Sequence, residues 1–331
     1  MHQITLGSGK TFSAELNASI LNAATKACVS MSYSCKSGRC STCKCKVIAG
    51  ETKALQAEVG LSSADKAEGW ILSCVRTAVT DLSLDVEDLG GVVLPQAKTL
   101  PCRINSIDKL APDVVRVVLR LPPTAEFSFI PGQYIDVIGP NGARRSYSLA
   151  NASFAGKQLE LHIRAVDGGT MSQYWFGQAK ANDLLRLNGP LGTFFLRDVA
   201  GLDLVFMATG TGMAPVKAML ESMHDLDAVE QPRSVTVLWG GRTLQDLYFD
   251  VARIPGDFNF MPVLSRADPQ WTGARGHVQQ ALLTALPDLS QAAVYACGSD
   301  EMIRDAQTTL TAAGLPSNRF YSDAFVCSAT I

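Results

Sequence analysis

The 331-residue sequence has little charge, and the charge it has is balanced. Charged residues make up 18% of the chain, with 29 Lys and Arg against 31 Asp and Glu, so the formal net charge is −2. A protein that binds nucleic acid through its phosphates usually carries a clear excess of positive charge on one face. The composition therefore argues against DNA or RNA as a partner.

Long apolar runs and an export signal are also lacking. No apolar run is longer than about six residues, whereas a membrane-spanning helix needs about 20. The N-terminus has no basic stretch followed by an apolar one, as a secretory signal peptide has. We therefore expect a cytoplasmic protein with no membrane partner. Apolar residues make up 47% of the chain, and the length predicts about two domains, with three possible.

Gly and Pro punctuation and changes of pattern divide the chain into three predicted domains. Residues 1–95 mix short strands with one short helix opened by Ser19, which indicates a small α+β unit. Residues 98–198 are rich in alternating strands, as in 114–121, and predict an antiparallel β-barrel. Residues 199–331 alternate buried-looking strands with helices and predict a parallel α/β sheet. The predicted fold class is multidomain, α+β and α/β.

Nine cysteines are present, and six of them fall within the first 74 residues. Cys35, Cys40 and Cys43 follow the C-x4-C-x2-C pattern, and Cys74 follows after thirty residues, which is the spacing of plant-type 2Fe-2S ferredoxins. A structural zinc site or inert buried thiols are the alternatives, but zinc sites usually pair two C-x2-C hooks and only one is present. The remaining nearby cysteines, Cys28 and Cys45, are expected to pack as small apolar residues.

An R-x-Y-S pattern in the second segment suggests a flavin site. A guanidinium at Arg145 can clamp a diphosphate, the Tyr147 ring can lie against an isoalloxazine, and the Ser148 hydroxyl can bond the flavin nitrogen that accepts hydride. Alone, the pattern could equally be a strand with a buried tyrosine. Twenty residues later a predicted helix, 172–176, offers N–H groups to a diphosphate. Its opening contains Gly169, Thr170 and Ser172.

Two strand-to-helix junctions in the third segment suggest a nucleotide site. A strand at 202–208 runs into Gly210, Thr211 and Gly212, where backbone can approach phosphate, although the third glycine of the dinucleotide fingerprint is absent. An ordinary βα turn therefore stays open as an alternative. The second junction contains Cys297 and Gly298. Both loops would lie at the carboxyl ends of parallel strands, where ligands bind in such sheets.

These motifs occur in the order found in the ferredoxin-NADP reductase superfamily, and the chain resembles members with an N-terminal plant-type ferredoxin domain. The resemblance covers essentially the whole chain. Within it, residues 121–125, 144–148 and 320–326 are most similar to CDP-6-deoxy-Δ3,4-glucoseen reductases. It implies an oxidoreductase in which NAD(P)H reduces FAD, FAD reduces a 2Fe-2S cluster, and the cluster reduces a separate protein.

The resemblance also implies roles for single residues. Ser148 and Cys297 would lie beside the reacting flavin and nicotinamide, and Phe325 would cover the flavin near the C-terminus. Arg266, with Ser265, stands where NADPH-selective members hold the 2′-phosphate, although the most similar reductases use NADH, so NADH is favoured and NADPH is possible. The implied cofactor-binding set is Arg145, Tyr147, Ser148, Gly169, Thr170, Ser172, Gly210, Thr211, Gly212, Arg242, Ser265, Arg266, Cys297, Gly298 and Phe325.

The acceptor of the electrons is expected to be another protein. The resemblance favours the pyridoxamine-dependent dehydrase of 3,6-dideoxyhexose (deoxysugar) biosynthesis. The alternative is the oxygenase component of a ring-hydroxylating dioxygenase or soluble monooxygenase. A non-enzymatic binding module is a third reading, which the intact cysteines and phosphate loops disfavour. Lysines and an arginine around the cluster loop predict a cationic rim for an acidic partner, namely Lys36, Arg39, Lys44 and Lys46.

Overall fold

The computed structural model describes residues 1–86, 88–152 and 154–325, and these form two compact units. The first unit comprises Met1–Leu94 together with the C-terminal residues from Asp323 onward. The second comprises Pro95–Ser322 and contains both the predicted barrel and the predicted α/β sheet. The three predicted domain ranges stay predictions.

The first unit is a five-stranded mixed sheet with a helix packed on it. Its apolar residues alternate along the strands, so that Ile4 and Leu6 are buried while Gln3 is exposed. The sheet order is β2-β1-β7-β3-β5, with β1 and β7 parallel, and β4 pairs with β6 in a separate two-stranded sheet. The elements are β1 His2–Leu6, β2 Thr11–Ala14, α1 Ile20–Lys26, β3 Lys44–Ala49, β4 Thr52–Ala54, α2 Ser63–Ala67, β5 Trp70–Leu72, β6 Arg76–Ala78 and β7 Leu82–Asp85.

Helix α1 begins where the sequence predicted and ends early. The Ser19 hydroxyl caps it by accepting from the backbone N–H of Asn22. Ile20 and Leu21 are buried against the sheet, but the helix ends at Lys26. Cys28 therefore lies beyond the helix, exposed and with φ of +58°. The prediction that Cys28 packs in the core is wrong, because the chain turns before the helical face can reach it.

The second unit contains a six-stranded antiparallel sheet in the order β11-β10-β13-β8-β9-β12. Its edges meet through a bridge between Leu149 and Leu161, which closes the sheet into the predicted barrel. In β9, Val117 and Leu119 are fully buried and Arg120 is exposed, which confirms the predicted faces. The elements are β8 Lys98–Ala111, β9 Val114–Arg120, β10 Tyr134–Ile138, β11 Arg144–Ser148, β12 Gln158–Arg164, α3 Thr170–Gly177 and β13 Leu184–Leu191.

The same unit contains a six-stranded α/β sheet in the order β17-β16-β15-β14-β18-β19. The pairs from β17 through to β18 are parallel, as predicted from the strand and helix alternation. None of the described helices has the length and hydropathy needed to cross a membrane. The elements are β14 Asp203–Thr209, α4 Met213–Ser222, β15 Ser234–Gly241, β16 Asn259–Leu264, β17 Ala274–Arg275, α5 Val278–Ala285, β18 Ala292–Ser299, α6 Asp300–Ala312 and β19 Phe320–Phe325.

Candidate functional site

The loop that carries three of the predicted metal ligands is irregular and tightly turned. Gly38 has φ of +75°, and a Cβ there would lie 2.5 Å from the Ala57 carbonyl oxygen, so the position requires glycine. The backbone N–H of Cys35 points at the Cys40 sulfur, and that of Ser37 points at the Cys35 sulfur, each at 3.4 Å. Backbone donors aimed at sulfur are what a thiolate cluster requires.

The four predicted ligands form two pairs. The Cys40 thiol, together with backbone N–H groups, lowers the pKa of Cys35 to about 4, while bonding to Cys35 and burial raise the pKa of Cys40. In the second pair, bonding to Cys43 lowers the pKa of Cys74, and bonding to Cys74 followed by burial raises the pKa of Cys43. Each of the four sulfurs therefore has another predicted ligand as its hydrogen-bond partner.

Two pairs fit a two-iron cluster, in which each iron takes two cysteine sulfurs. A mononuclear zinc site needs three or four ligands around one point. Within the described part of the chain, no three Cys, His, Asp or Glu side chains converge in that way. Four cysteine sulfurs arranged as two pairs match the donor set of a 2Fe-2S cluster.

Cys45, the competing thiol, points into the core of the first unit. It is 1% exposed, and burial raises its pKa to about 12. On strand β3 it pairs in register with Ile71, among apolar side chains. The prediction that Cys45 packs is therefore confirmed.

A buried carboxylate holds the Cys74 segment and was not found from the sequence. Glu58 accepts from the backbone N–H of Leu72 at 2.8 Å and from the Arg76 guanidinium at 2.9 Å. These two contacts lie two residues before and two residues after Cys74. The Glu58 side chain is 4% exposed. Its role is to fix the backbone on both sides of a ligand, and no pattern in the sequence indicates it.

The predicted flavin strand is β11, and α3 contacts it directly. Arg145 and Tyr147 are half-buried, and Ser148 at the strand end is buried. The Trp175 indole N–H, from α3, donates to the Tyr147 hydroxyl at 2.9 Å. Burial raises the pKa of Tyr147 to about 12. The two flavin motifs, twenty residues apart in sequence, therefore meet in the structure.

The N-terminus of α3 presents polar groups suited to a diphosphate. The helix begins at Thr170 with Gly169 as its N-cap, and no described side chain caps it. Its first N–H groups are therefore left for a ligand or water. The Ser172 hydroxyl accepts from the Val166 N–H at 2.9 Å, which leaves its own hydrogen to donate. The predicted helix at 172–176 begins two residues earlier than expected.

The two predicted nucleotide loops touch at the carboxyl edge of the parallel sheet. Gly210, Thr211 and Gly212 form a 3₁₀ turn between β14 and α4. A Cβ on Gly212 would overlap the Cys297 carbonyl oxygen, and one on Gly298 would overlap the Thr209 hydroxyl. Cys297 is fully buried at the end of β18. These two glycines thus allow the two loops to pack against each other. The missing third glycine of the dinucleotide fingerprint does not prevent this packing.

The predicted 2′-phosphate residues, Ser265 and Arg266, lie on a turn next to Arg242, another predicted cofactor-binding residue. The backbone N–H of Arg266 donates to the Arg242 carbonyl oxygen at 2.8 Å, and that of Ser265 donates to Gly241 at 3.0 Å. Arg242 pairs with Asp246 at 3.1 Å, whereas the Arg266 side chain is exposed. Both arginines are exposed, and their contacts with the nucleotide stay predictions.

The predicted cationic rim is partly neutralised within the first unit. Lys44 pairs with Asp65 at 2.5 Å and lies over the Trp70 ring at 4.4 Å from its centroid. That pairing lowers the pKa of Asp65 to about 2. Lys36 lies over the Tyr33 ring at 4.3 Å. Lys44 is thus a structural partner of Asp65 rather than a free docking charge.

Phe325 is the last residue that the structure describes, at the end of β19, and its side chain is 38% exposed. Its predicted role over the flavin stays a prediction. The neighbouring Cys327 and Val326 lie outside the described residues.

Comparison with known proteins assigns all three parts of the chain. Family models match the 2Fe-2S iron-sulfur cluster binding domain at residues 4–79, the oxidoreductase FAD-binding domain at 101–196 and the oxidoreductase NAD-binding domain at 206–308. The predicted cofactors, FAD, a nicotinamide nucleotide and a 2Fe-2S cluster, are thereby confirmed.

Full-length relatives show the same order of domains. CDP-6-deoxy-L-threo-D-glycero-4-hexulose-3-dehydrase reductase of Yersinia pestis is 42% identical and covers 97% of this chain and 97% of its own length. The reductase component of propane 2-monooxygenase of Rhodococcus jostii is 30% identical, over 94% of this chain and 87% of its own. The crystal structure of the Amycolatopsis cytochrome P450 reductase GcoB superposes with a TM-score of 0.76 at 29% identity, covering 99% of this chain and 100% of that one. The chain therefore belongs to the ferredoxin-NADP reductase superfamily, among the electron-transfer flavoproteins that carry an N-terminal 2Fe-2S ferredoxin domain.

Proposed function

We propose that this chain oxidises NADH and delivers the electrons to a pyridoxamine-dependent sugar-nucleotide dehydrase that makes 3,6-dideoxyhexoses. The observation that carries the proposal is the 42% identity to a dehydrase reductase over 97% of both chains. The propane monooxygenase reductase, at 30% identity, supports the alternative of an oxygenase partner. The lower identity makes it the second candidate.

The residues of the chain supply binding and orientation. Arg145, Ser172 and the first N–H groups of α3 hold the FAD diphosphate, and Tyr147 lies against the flavin ring. Ser148 orients the reacting edge of that ring. When bound, FAD takes two electrons from the nicotinamide at once, and the cluster passes them on singly.

The nucleotide loops place the nicotinamide beside Cys297. The backbone of Gly210, Thr211, Gly212 and Gly298 approaches the pyrophosphate, because these positions carry no side chain or a small one. The thiolates of Cys35, Cys40, Cys43 and Cys74 hold the iron. The proposal needs neither a nucleophile nor a pair of carboxylates, because the cofactors carry the chemistry.

NADH is the proposed donor, although Arg266 could serve a 2′-phosphate. The test is kcat/KM for NADH and NADPH in the wild-type chain and in Arg266→Ala. Comparable or higher efficiency with NADH supports the proposal. A preference for NADPH of about tenfold that disappears in Arg266→Ala would overturn it, since that change removes the guanidinium that could clamp the phosphate.

The partner is tested with purified proteins. The reductase is mixed with NADH and either a pyridoxamine-dependent dehydrase acting on its sugar nucleotide or a monooxygenase hydroxylase component. Ferricyanide reduction serves as the control for flavin chemistry alone. Product formation with the dehydrase, and little with the hydroxylase, supports the proposal. Turnover with the hydroxylase but not with the dehydrase would assign the chain to oxygenase systems instead.

A further inference from the structure

Helix α4 starts immediately after the glycine loop and carries a partly buried charge pair. Lys217 and Glu221 are one turn apart on the helix, and the Lys217 Nζ lies 2.6 Å from the Glu221 carboxylate. Their side chains are only 17% and 25% exposed. Charged side chains are rarely buried to this degree unless polar partners satisfy them.

The partners of this pair lie on the segment that follows the flavin strand. Lys217 donates to the Ala150 carbonyl oxygen at 2.8 Å, and the backbone N–H of Ala152 donates to Glu221 at 3.1 Å. Ala150 is two residues after Ser148 along the chain. The helix that carries the nicotinamide loop is therefore bonded, through two side chains, to the backbone next to the flavin strand.

A second set of contacts extends the same connection into the barrel. Lys217 also pairs with Glu160 of β12 at 3.2 Å, and Glu160 bonds the His162 Nε2 at 2.9 Å. The His162 Nδ1 lies 3.0 Å from the Tyr248 hydroxyl, which follows β15. Because a carboxylate only accepts, His162 donates to Glu160 through Nε2.

The His162 Nε2 and the Glu160 carboxylate lie within ion-pair distance, at 2.9 Å. Burial lowers the pKa of His162, outweighing the opposing effect of Glu160. Lys217 is thus the cation that balances Glu160 and Glu221. Removing it would leave both partly buried carboxylates without their shared cation.

From these contacts we propose that Lys217 and Glu221 are positioning residues for hydride transfer: they hold the nicotinamide loop at a fixed distance and angle from the flavin strand. The proposal rests on the proposed placement of FAD and NAD(P)H at these two elements. Hydride transfer requires the donor carbon close to the acceptor, and displacement by about 1 Å can cost about a hundredfold in rate. Neither residue need touch a cofactor to act in this way.

The test compares Lys217→Met, Lys217→Arg and Glu221→Gln with a matched control. Arg233→Met breaks the Arg233–Asp203 ion pair at the opposite, amino-terminal edge of the same parallel sheet. All variants are prepared as full chains with FAD and the cluster. Flavin reduction by saturating NADH is followed by stopped flow, with the NADH dissociation constant from the same data. Amide hydrogen exchange is measured over residues 148–152 and 210–217.

We expect flavin reduction at saturating NADH to be at least about tenfold slower in Lys217→Met than in the wild type. The dissociation constant for NADH should stay within about twofold of the wild-type value. Amide exchange should increase in both segments, and Lys217→Arg should recover part of the rate. Arg233→Met should change neither the rate of flavin reduction nor the amide exchange of these two segments. A wild-type rate in Lys217→Met, or equal slowing in Arg233→Met, would overturn the proposal.

If Lys217→Met does not fold, Glu221→Gln decides the question, because it keeps the side-chain shape but removes the charge that pairs with Lys217. Unchanged exchange and rate in Glu221→Gln would then overturn the proposal. If the wild-type chain with FAD does not oxidise NADH at all, the proposed function fails. The exchange data still test whether these residues hold the two segments together.

Discussion

Replacing Glu58 with Gln should destabilise the first unit and disturb the cluster through Cys74. The change removes the charge that faces Arg76 but keeps an oxygen that can accept from the Leu72 N–H. Breaking one side of a buried ion pair costs about 3–5 kcal/mol. Because the Arg76 side chain is 22% exposed, water can partly solvate its charge, and about 2–3 kcal/mol is expected for Glu58→Gln.

Glu58→Ala should lower the free energy of unfolding by about 1–3 kcal/mol more than Glu58→Gln, because it also leaves the Leu72 N–H without its acceptor. Chemical denaturation of the full chain, followed by loss of the visible cluster absorbance, measures both variants. The EPR spectrum of the reduced cluster should shift most in Glu58→Ala, since that change releases the Leu72 N–H two residues before Cys74.

The double variant Glu58→Gln with Arg76→Met tests the reasoning more sharply. Removing both charges should be less destabilising than the sum of the single changes, because no lone charge is left near the core. Additive losses, or a Glu58→Gln variant within about 0.5 kcal/mol of the wild type, would refute the role assigned to this ion pair.

Three further outcomes are expected. Cys74→Ala should abolish the S = 1/2 EPR signal of the reduced cluster and keep flavin absorbance, whereas Cys45→Ala should keep both; the reverse result would contradict the ligand assignment. The free energy of unfolding should fall as pH drops below about 6.5, because unfolded His162 takes up a proton at its ordinary pKa while burial lowers that pKa in the folded chain. Chemical denaturation at pH 7.5 and 5.5 should show a smaller loss of the free energy of unfolding in His162→Gln than in the wild type. Lys46→Glu should slow electron transfer to the partner several-fold at low salt, as measured by stopped flow. Lys44→Glu should instead mainly lower the melting temperature, because it places two acids together at Asp65.

The parts of the site that are local in sequence could be predicted from it. The cysteine spacing predicts the ligands because the loop from Cys35 to Cys43 carries three of them, and the structure pairs Cys35 with Cys40 and Cys43 with Cys74. Alternation in β9 gave the buried face because a strand turns its side chains to opposite sides at every residue. The sequence placed Gly212 and Gly298 in turns. It could not predict that a Cβ at either position would overlap Cys297 or Thr209, because that overlap follows from the packing of β14 beside β18.

The exposed position of Cys28 and the pairing of Lys44 were not predictable in the same way. A helical face extends only as far as the helix, and α1 ends at Lys26 without a Pro or Gly to mark its end. Lys44 looked like one of several free cations, because its partner Asp65 is 21 residues away on another element.

The residues that the sequence did not reveal share one physical feature: they bind backbone atoms. Glu58 accepts from the Leu72 N–H, Lys217 donates to the Ala150 oxygen, and Glu221 accepts from the Ala152 N–H. Every residue but proline offers the same backbone groups, so the partner's side chain gives no sign of the contact. Leu72 and Ala150 look like ordinary core residues for this reason. Charged side chains that are partly or fully buried beside a motif and bond backbone atoms are therefore the places in this fold where positioning residues should be sought.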